Sequence, residues 1–202
     1  MAYYIRVLGA QNVDVSVEEL SNDLKEKGLT AELRVEETKR GKWTRMHVLN
    51  AKGLPLAQLE KDVVKWLGLG KEEIGELIEE IKDEMPVSAV KWLTTYLKRV
   101  KVIYAFRMFG AASEDENFEI ISAIRTRIWK STGGIIQSDH ESFSNEEGDV
   151  ILWQLSDELT GEWRCAVISE SGEWQRFRMD MGDMQQRKDF CEGKVPAGSI
   201  PL

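Results

Sequence analysis

The chain is poor in the residue types that most often carry covalent chemistry. Its 202 residues include only two cysteines and two histidines. Two cysteines are too few for the disulfide framework of a small secreted domain. Neither His47 nor His140 has a serine or cysteine close by in a recognisable nucleophile turn. A P-loop, a G-x-G-x-x-G turn and a C-x-x-C pair are also absent, so the commonest sequence signatures of catalysis and of cofactor binding are excluded.

Long apolar runs are missing as well. No stretch approaches the roughly 18 apolar residues that a membrane span needs. Residues 1–6 lack the basic-then-apolar layout of a secretory signal. We therefore expect a cytoplasmic protein without a membrane partner.

Charge of one sign is in excess. The net charge is −8 and the isoelectric point is near 5.0. Residues 1–100 carry 17 acidic and 16 basic side chains, whereas residues 101–202 carry 18 and 11, so the second half is the acidic one. Such a surface disfavours nonspecific binding to nucleic acid, which requires clustered lysine and arginine.

Local patterns predict an α+β fold. Ser16 and Glu19 have the spacing of a capping box at a helix start, and Gly28 is placed to end that helix. Alternating and apolar runs predict strands at residues 3–8, 29–35, 43–49, 54–60, 100–109, 135–138, 150–155, 163–168 and 174–181. Helical periodicity predicts helices at residues 16–28, 71–85, 88–99, 116–130 and 184–191.

Two segments of the chain align without gaps. Residues 5–20 and 106–121 share Arg6 with Arg107, Gly9 with Gly110, Ala10 with Ala111 and Glu18 with Glu119. We interpret this as an internal duplication or as two generic units with the same local physics. Either way the sequence predicts two tandem strand-loop-helix-strand-strand halves, with mainly antiparallel sheets that are each packed by helices.

The predicted domain division follows the chain. It comprises an N-terminal α+β half at residues 1–85, a connecting helix at residues 86–99, an acidic α+β half at residues 100–192 and a flexible tail at residues 193–202.

The densest polar cluster lies in residues 139–147. Carboxylates and an imidazole there could bind a divalent cation that activates water. The spacing fits no standard calcium loop, because Ser144 stands where an EF-hand starting at Asp139 needs glycine. A solvated hairpin loop explains the same residues. The candidate metal ligands are Asp139, His140, Glu141 and Glu147.

A basic hairpin tip is predicted at residues 39–45. It carries Lys39, Arg40, Lys42 and Arg45 around Trp43. Such a tip could hold phosphates and stack a base, or it could dock onto an acidic protein surface, including a second copy of the chain.

Tryptophan is abundant, with seven residues in the chain. Core packing is predicted for Trp92, Trp129 and Trp153. Trp43, Trp163 and Trp174 each follow a turn at the start of a strand, and tryptophans at one end of a sheet would be anchors for a protein or a flat ligand.

These features favour a non-enzymatic protein-protein interaction module without a cofactor. In general character (small, acidic, rich in tryptophan) the chain resembles bacterial immunity proteins, which neutralise toxins by binding them. One alternative is a metal-dependent hydrolase or small-ligand binder centred on residues 139–147. Another is weak nucleic-acid binding through the tip at residues 39–45. A protein partner or self-association is the predicted interaction.

Overall fold

The computed structural model describes residues 3–65, 68–154 and 158–202. Within them the chain forms five α-helices and eleven strands that pair mostly antiparallel, which confirms the α+β class. Contacts divide the chain into two compact units. Unit 1 comprises residues 1–71 and 100–134, and unit 2 comprises residues 72–99 and 135–202.

The strands are β1 (Tyr3–Gly9), β2 (Ala31–Lys39), β3 (Lys42–Asn50), β4 (Pro55–Val63), β5 (Val102–Met108), β6 (Ile135–Ser138), β7 (Ser142–Ser144), β8 (Val150–Trp153), β9 (Glu162–Ile168), β10 (Trp174–Asp180) and β11 (Ile200–Pro201). The helices are α1 (Val17–Glu26), α2 (Leu69–Ile81), α3 (Val87–Leu97), α4 (Asp115–Thr132) and α5 (Met184–Cys191). None of these described helices combines the length and the apolar composition that a bilayer crossing requires.

Unit 1 contains an antiparallel sheet in the order β1-β5-β4-β3-β2. Strand β5 lies between β1 and β4, and its Phe106 pairs with Ile5 on one side and with Leu59 on the other. All three side chains are buried. Helix α1 packs against α4, and α4 contacts β1, β3 and β4. The apolar stripes of the two helices therefore complete the core of unit 1.

The start of α1 follows its sequence pattern. The Ser16 hydroxyl accepts from the Glu19 amide at 3.1 Å, and the Glu19 carboxylate accepts from the Ser16 amide at 2.8 Å. This is the predicted capping box. Gly28, with φ of +71°, follows the helix in the left-handed region that glycine adopts readily.

The two aligned segments lie together in unit 1. The strand that begins the first, β1, is the antiparallel partner of β5 in the second, and Arg6 pairs with Ala105. The fold does not show a duplication. The division into units also differs from successive halves, because β5 and α4 pack with the N-terminal strands. Strand pairing over about 100 residues leaves no local pattern that sequence periodicity could detect.

Unit 2 has strands in the order β11-β10-β9-β8-β7-β6. Among the described strands of this unit the pairings are antiparallel except β8 with β9, where Val150 lies parallel to Cys165. Helix α3 contacts β8 and β9. Phe177 of β10 meets Phe190 of α5 edge-on, with ring centroids 6.5 Å apart. Both phenylalanines are buried in the unit 2 core.

The C-terminal residues differ from the predicted flexible tail. Ile200 pairs with Arg178 in β10, and the Leu202 amide donates to the Arg176 carbonyl at 3.0 Å. β11 is too short, and the segment before it too rich in glycine and proline, to be recognised from alternation. The hydrogen-bond partners of these residues lie on the edge of β10, which the local sequence cannot reveal.

Candidate functional site

The predicted metal ligands lie in two separate turns. Asp139, His140 and Glu141 form the β6–β7 turn, which is closed by a 3.1 Å hydrogen bond from the Glu141 amide to the Ser138 carbonyl. Glu147 belongs to the next turn, between β7 and β8. Across the residues that the structure describes, no three histidine, cysteine, aspartate or glutamate side chains form a group that could hold a metal.

The carboxylate that is buried in this region is Asp149. Its side chain has no exposed surface and accepts from Arg164 Nε at 2.9 Å and from Arg176 Nε at 2.5 Å. The pKa of the Arg176 guanidinium is raised by this hydrogen bond to Asp149. Asp149 therefore ties the β7–β8 turn to β9 and β10. In the sequence its only signal is a carboxylate directly before a buried strand.

The turn around Asp149 is built by Asn145. Its side-chain Oδ1 accepts from the amides of Glu147 at 3.0 Å and Asp149 at 2.9 Å. Asparagine favours such local bonds to the following backbone, which is the reason that it is common in turns. The side chain of Asn145 therefore fixes the backbone of the hairpin loop that contains Glu147 and Asp149.

Two of the four basic side chains at the tip of unit 1 contact nearby carboxylates. Arg45 contacts Glu60 at 2.9 Å and Glu37 at 2.5 Å, and Lys42 contacts Asp14 at 3.0 Å. The pKa of Arg45 is raised by the hydrogen bond and charge of Glu60.

Lys39 and Arg40 are exposed at this tip, where the β2–β3 turn forms with φ of 54° at Arg40 and 76° at Gly41. The tip of unit 1 is thus a turn of mixed charge.

The sequence predicts Trp43 as an exposed anchor at the tip, but in the structure Trp43 is buried. Its indole Nε1 donates to the Val15 carbonyl at 2.8 Å, and its ring lies 5.7 Å from that of Tyr104. The Tyr104 hydroxyl donates to the Val13 carbonyl at 3.0 Å. The two aromatic residues fix the segment before α1. A buried indole N–H needs a hydrogen-bond acceptor such as the Val15 carbonyl. The turn pattern in the sequence could not reveal this distant acceptor.

Trp163 and Trp174 are half-buried and lie far apart on the β9–β10 hairpin. Trp163 pairs with Met179, whereas Trp174 pairs with Ile168. Because β9 and β10 are antiparallel, their first residues stand at opposite ends of the hairpin. Alternation along β10 also puts Trp174 and Met179 on opposite faces. These tryptophans therefore do not form one surface.

Each of the two has another aromatic partner. Trp163 meets Trp153 edge-on at 6.1 Å, and Trp174 meets Trp92 edge-on at 5.0 Å. Trp92 stacks on Tyr96 at 5.1 Å. Trp92, Trp129 and Trp153, which are predicted core residues, are half-buried.

An apolar cavity lies beside α5 in unit 2. Its volume is about 350 Å³, within the range of small-ligand sites. We call it the methionine pocket, after the residues that dominate its wall. Its lining residues are Trp153, Met179, Met181, Met184, Arg187, Lys188, Phe190 and Cys191.

Helix α5 positions one wall of the methionine pocket. The Asp183 side chain accepts from the amides of Gln185 at 2.8 Å and Gln186 at 3.1 Å, and so caps the helix start. Arg187 donates from Nη2 to the Leu159 carbonyl at 2.5 Å and from Nε to the Met181 carbonyl. These bonds hold the helix against the segments that precede and follow the β9–β10 hairpin.

The sequence gives a partial signal for this pocket. Met184, Lys188 and Cys191 lie four and three residues apart, which puts them on one face of a helix. Nothing in the local pattern shows that this face is joined by Trp153 and Met179. Those residues come from two other strands and reach the pocket through tertiary packing.

The nucleophilic side chains of the pocket wall are the thiol of Cys191 and the amine of Lys188, and neither histidine is among the lining residues. The other thiol, Cys165, lies in the core beneath, where burial raises its pKa to about 12. Searches of protein-family models, of curated proteins and of solved structures found no match to the chain.

Proposed function

We propose that the chain is a non-enzymatic protein-interaction module that binds an apolar side chain of its partner in the methionine pocket. The observation that supports this proposal is the pocket's wall, in which methionine and aromatic side chains meet on a chain with 31% charged residues. Apolar cavities with few polar groups are the usual form of a binding site.

The size and composition of the pocket suit this task. A cavity of about 350 Å³ can admit one large apolar side chain, whose complete burial contributes about 1.5–3 kcal/mol. Methionine adapts its shape easily because its side chain is unbranched and its sulfur is polarisable. Met184 begins α5 with 82% of its surface exposed, so it is available to close over a bound group.

The two alternatives have less support from side-chain geometry. The acidic residues at 139–147 are divided between two turns. At the basic tip, Lys42 and Arg45 already contact carboxylates. A metal-dependent hydrolase and a nucleic-acid binder are therefore less well supported than the binding module.

The proposal can be tested by photocrosslinking in the cells that express the chain. A benzoylphenylalanine at the exposed position Gln185 should form an adduct with a discrete partner protein. The variant Met184→Glu, which adds a charge to the pocket wall, should abolish that adduct. A carboxylate there is compatible with folding, because negative charge is favoured at a helix start.

The matched control is Leu69→Glu. Leu69 also begins a helix and is 78% exposed, but it does not line the methionine pocket. The adduct should survive in this control. Equal adducts in both glutamate variants, or none with the unmodified pocket, would contradict the proposal.

A further inference from the structure

The charged groups of the methionine pocket have one sign. They are Arg187 and Lys188, both basic, although the whole chain has a net charge of −8. Arg187 is held by its hydrogen bonds to the Met181 and Leu159 carbonyls. Lys188 is exposed, and no ion pair to it occurs within the described ranges.

The carboxylates closest to Lys188 in the sequence form their hydrogen bonds with other residues. Asp189 accepts from the Gln185 amide group at 2.8 Å, and Glu192 contacts Lys194 at 2.7 Å. The pKa of Glu192 is lowered chiefly by this contact with Lys194 and in smaller part by the charge of Lys188. The ammonium of Lys188 is therefore available to a group that enters the pocket.

We infer that the methionine pocket selects an acidic peptide segment of the partner: a large apolar side chain with a carboxylate beside it. The apolar part would lie against Met179, Met181 and Phe190, and the carboxylate would face Lys188 at the rim. This inference rests on the proposed function, because it specifies what the same pocket binds. Charge complementarity of this kind gives selectivity more than affinity.

A matched set of fluorinated amino-acid probes tests the inference. N-acetyl-4-fluorophenylalanine has a carboxylate, its amide is neutral, and 4-fluorophenylalaninamide is a cation with the same ring. Titrations observed by ¹⁹F NMR give the dissociation constant of each probe. We expect the carboxylate probe to bind about twofold to fivefold more tightly than the neutral amide, as for an ion pair at an exposed rim. The cation should bind most weakly.

The variant Lys188→Gln should remove the preference, so that the carboxylate probe and the neutral amide bind with equal dissociation constants. The control Lys91→Gln removes the same charge from an exposed site on α3, outside the pocket, and should keep the preference. Added salt should also reduce the preference in the native chain, because exposed charges are screened.

The outcomes separate the two proposals. Equal affinity for all three probes, or a preference that survives Lys188→Gln, would overturn the charge selection and leave the apolar pocket as a binding site. If none of the probes binds up to its solubility limit, the pocket is not a binding site and both proposals fail.

Discussion

The two units offer different surfaces to a partner. Hollows of unit 1 have volumes of about 310 to 420 Å³, and polar or charged side chains such as Glu37, Lys39 and Lys61 contribute to their walls. The methionine pocket of unit 2 has a similar volume, about 350 Å³, but methionine and aromatic side chains form most of its wall. Volume therefore does not distinguish the units. The chemistry of the walls does distinguish them. An apolar group binds favourably against an apolar wall, because both surfaces then lose their contact with water.

The polar groups of the units also differ in their environment. In unit 1 the ion pairs of Asp14 and Arg45 lie near the surface, where each contributes little to stability. In unit 2 the Asp149 carboxylate is completely buried between two arginines. Unit 2 thus contains both a buried charged anchor and the methionine pocket.

The largest difference should be between the two thiols of unit 2. Cys191 lines the pocket, whereas Cys165 is buried with a pKa raised to about 12. At pH 8 we expect iodoacetamide to modify Cys191 at least about a thousandfold faster, because the thiolate is the reactive form. Peptide mass spectrometry after timed labelling measures both rates. Comparable rates would mean that the pocket wall is as closed as the core.

Two buried methionines should show whether the cores of the units differ in packing. Met46 in unit 1 and Met181 in unit 2 are both fully buried, but only Met181 borders the pocket. Met46→Ala should lower the free energy of unfolding by about 3 kcal/mol, since it creates a cavity in a closed core. Met181→Ala should cost about 2 kcal/mol, because it enlarges a space that already exists. Urea denaturation measures both, and the reverse order would contradict the comparison.

The next largest difference in stability should be between removal of the buried carboxylate, Asp149, and removal of the exposed one, Asp14. Asp149→Ala removes the shared acceptor of Arg164 and Arg176 and should lower the free energy of unfolding by about 2–3 kcal/mol. Asp14→Ala should cost less than about 1 kcal/mol, as for surface pairs. Urea midpoints of the two variants give the difference. Equal losses would show that Asp149 is not the stronger anchor.

Asp14 also makes a prediction about pH. Burial pushes the pKa of Asp14 upward, but hydrogen bonds from Lys61 and Lys42 outweigh it and leave the pKa below the usual value of 3.8. The contribution of these pairs is therefore present above that value and is lost as the pH falls through the lower folded pKa. The deficit of Asp14→Ala should shrink as the pH falls in this acidic range.

The smallest effect is expected at the basic tip. The double variant Lys39→Glu and Arg40→Glu should change the free energy of unfolding by less than about 0.5 kcal/mol, since both side chains are exposed. It should also leave partner crosslinking at Gln185 unchanged. Loss of the adduct in this variant would move the binding surface to unit 1.

The sequence predicted the local elements well and the long-range pairings poorly. Bounds for β6 and α5 are the same in the structure, and the capping box at Ser16 is confirmed. Periodicity and capping depend on residues within one turn or strand, so they are visible locally. The place of β5 between β1 and β4 depends on partners that are distant in the chain.

The same limit explains what the sequence revealed of the candidate site. The helical face with Met184, Lys188 and Cys191 could be found from spacing alone. Its completion by Trp153 and Met179 could not, because these residues reach the pocket only when β8 and β10 have folded. For Trp43 the sequence predicts exposure where the structure shows burial. A residue that follows a turn can still be buried by a distant loop.

The most direct test of the account uses methionine methyl groups labelled with ¹³C. Titration with the neutral probe N-acetyl-4-fluorophenylalaninamide should shift the methyl signals of Met179, Met181 and Met184, which line the pocket. The signal of Met46, buried in unit 1, should stay in place. Saturable shifts confined to the three pocket methyls are the predicted result. Unchanged pocket methyls, or shifts of similar size at Met46, would contradict the claim that unit 2 holds the binding site.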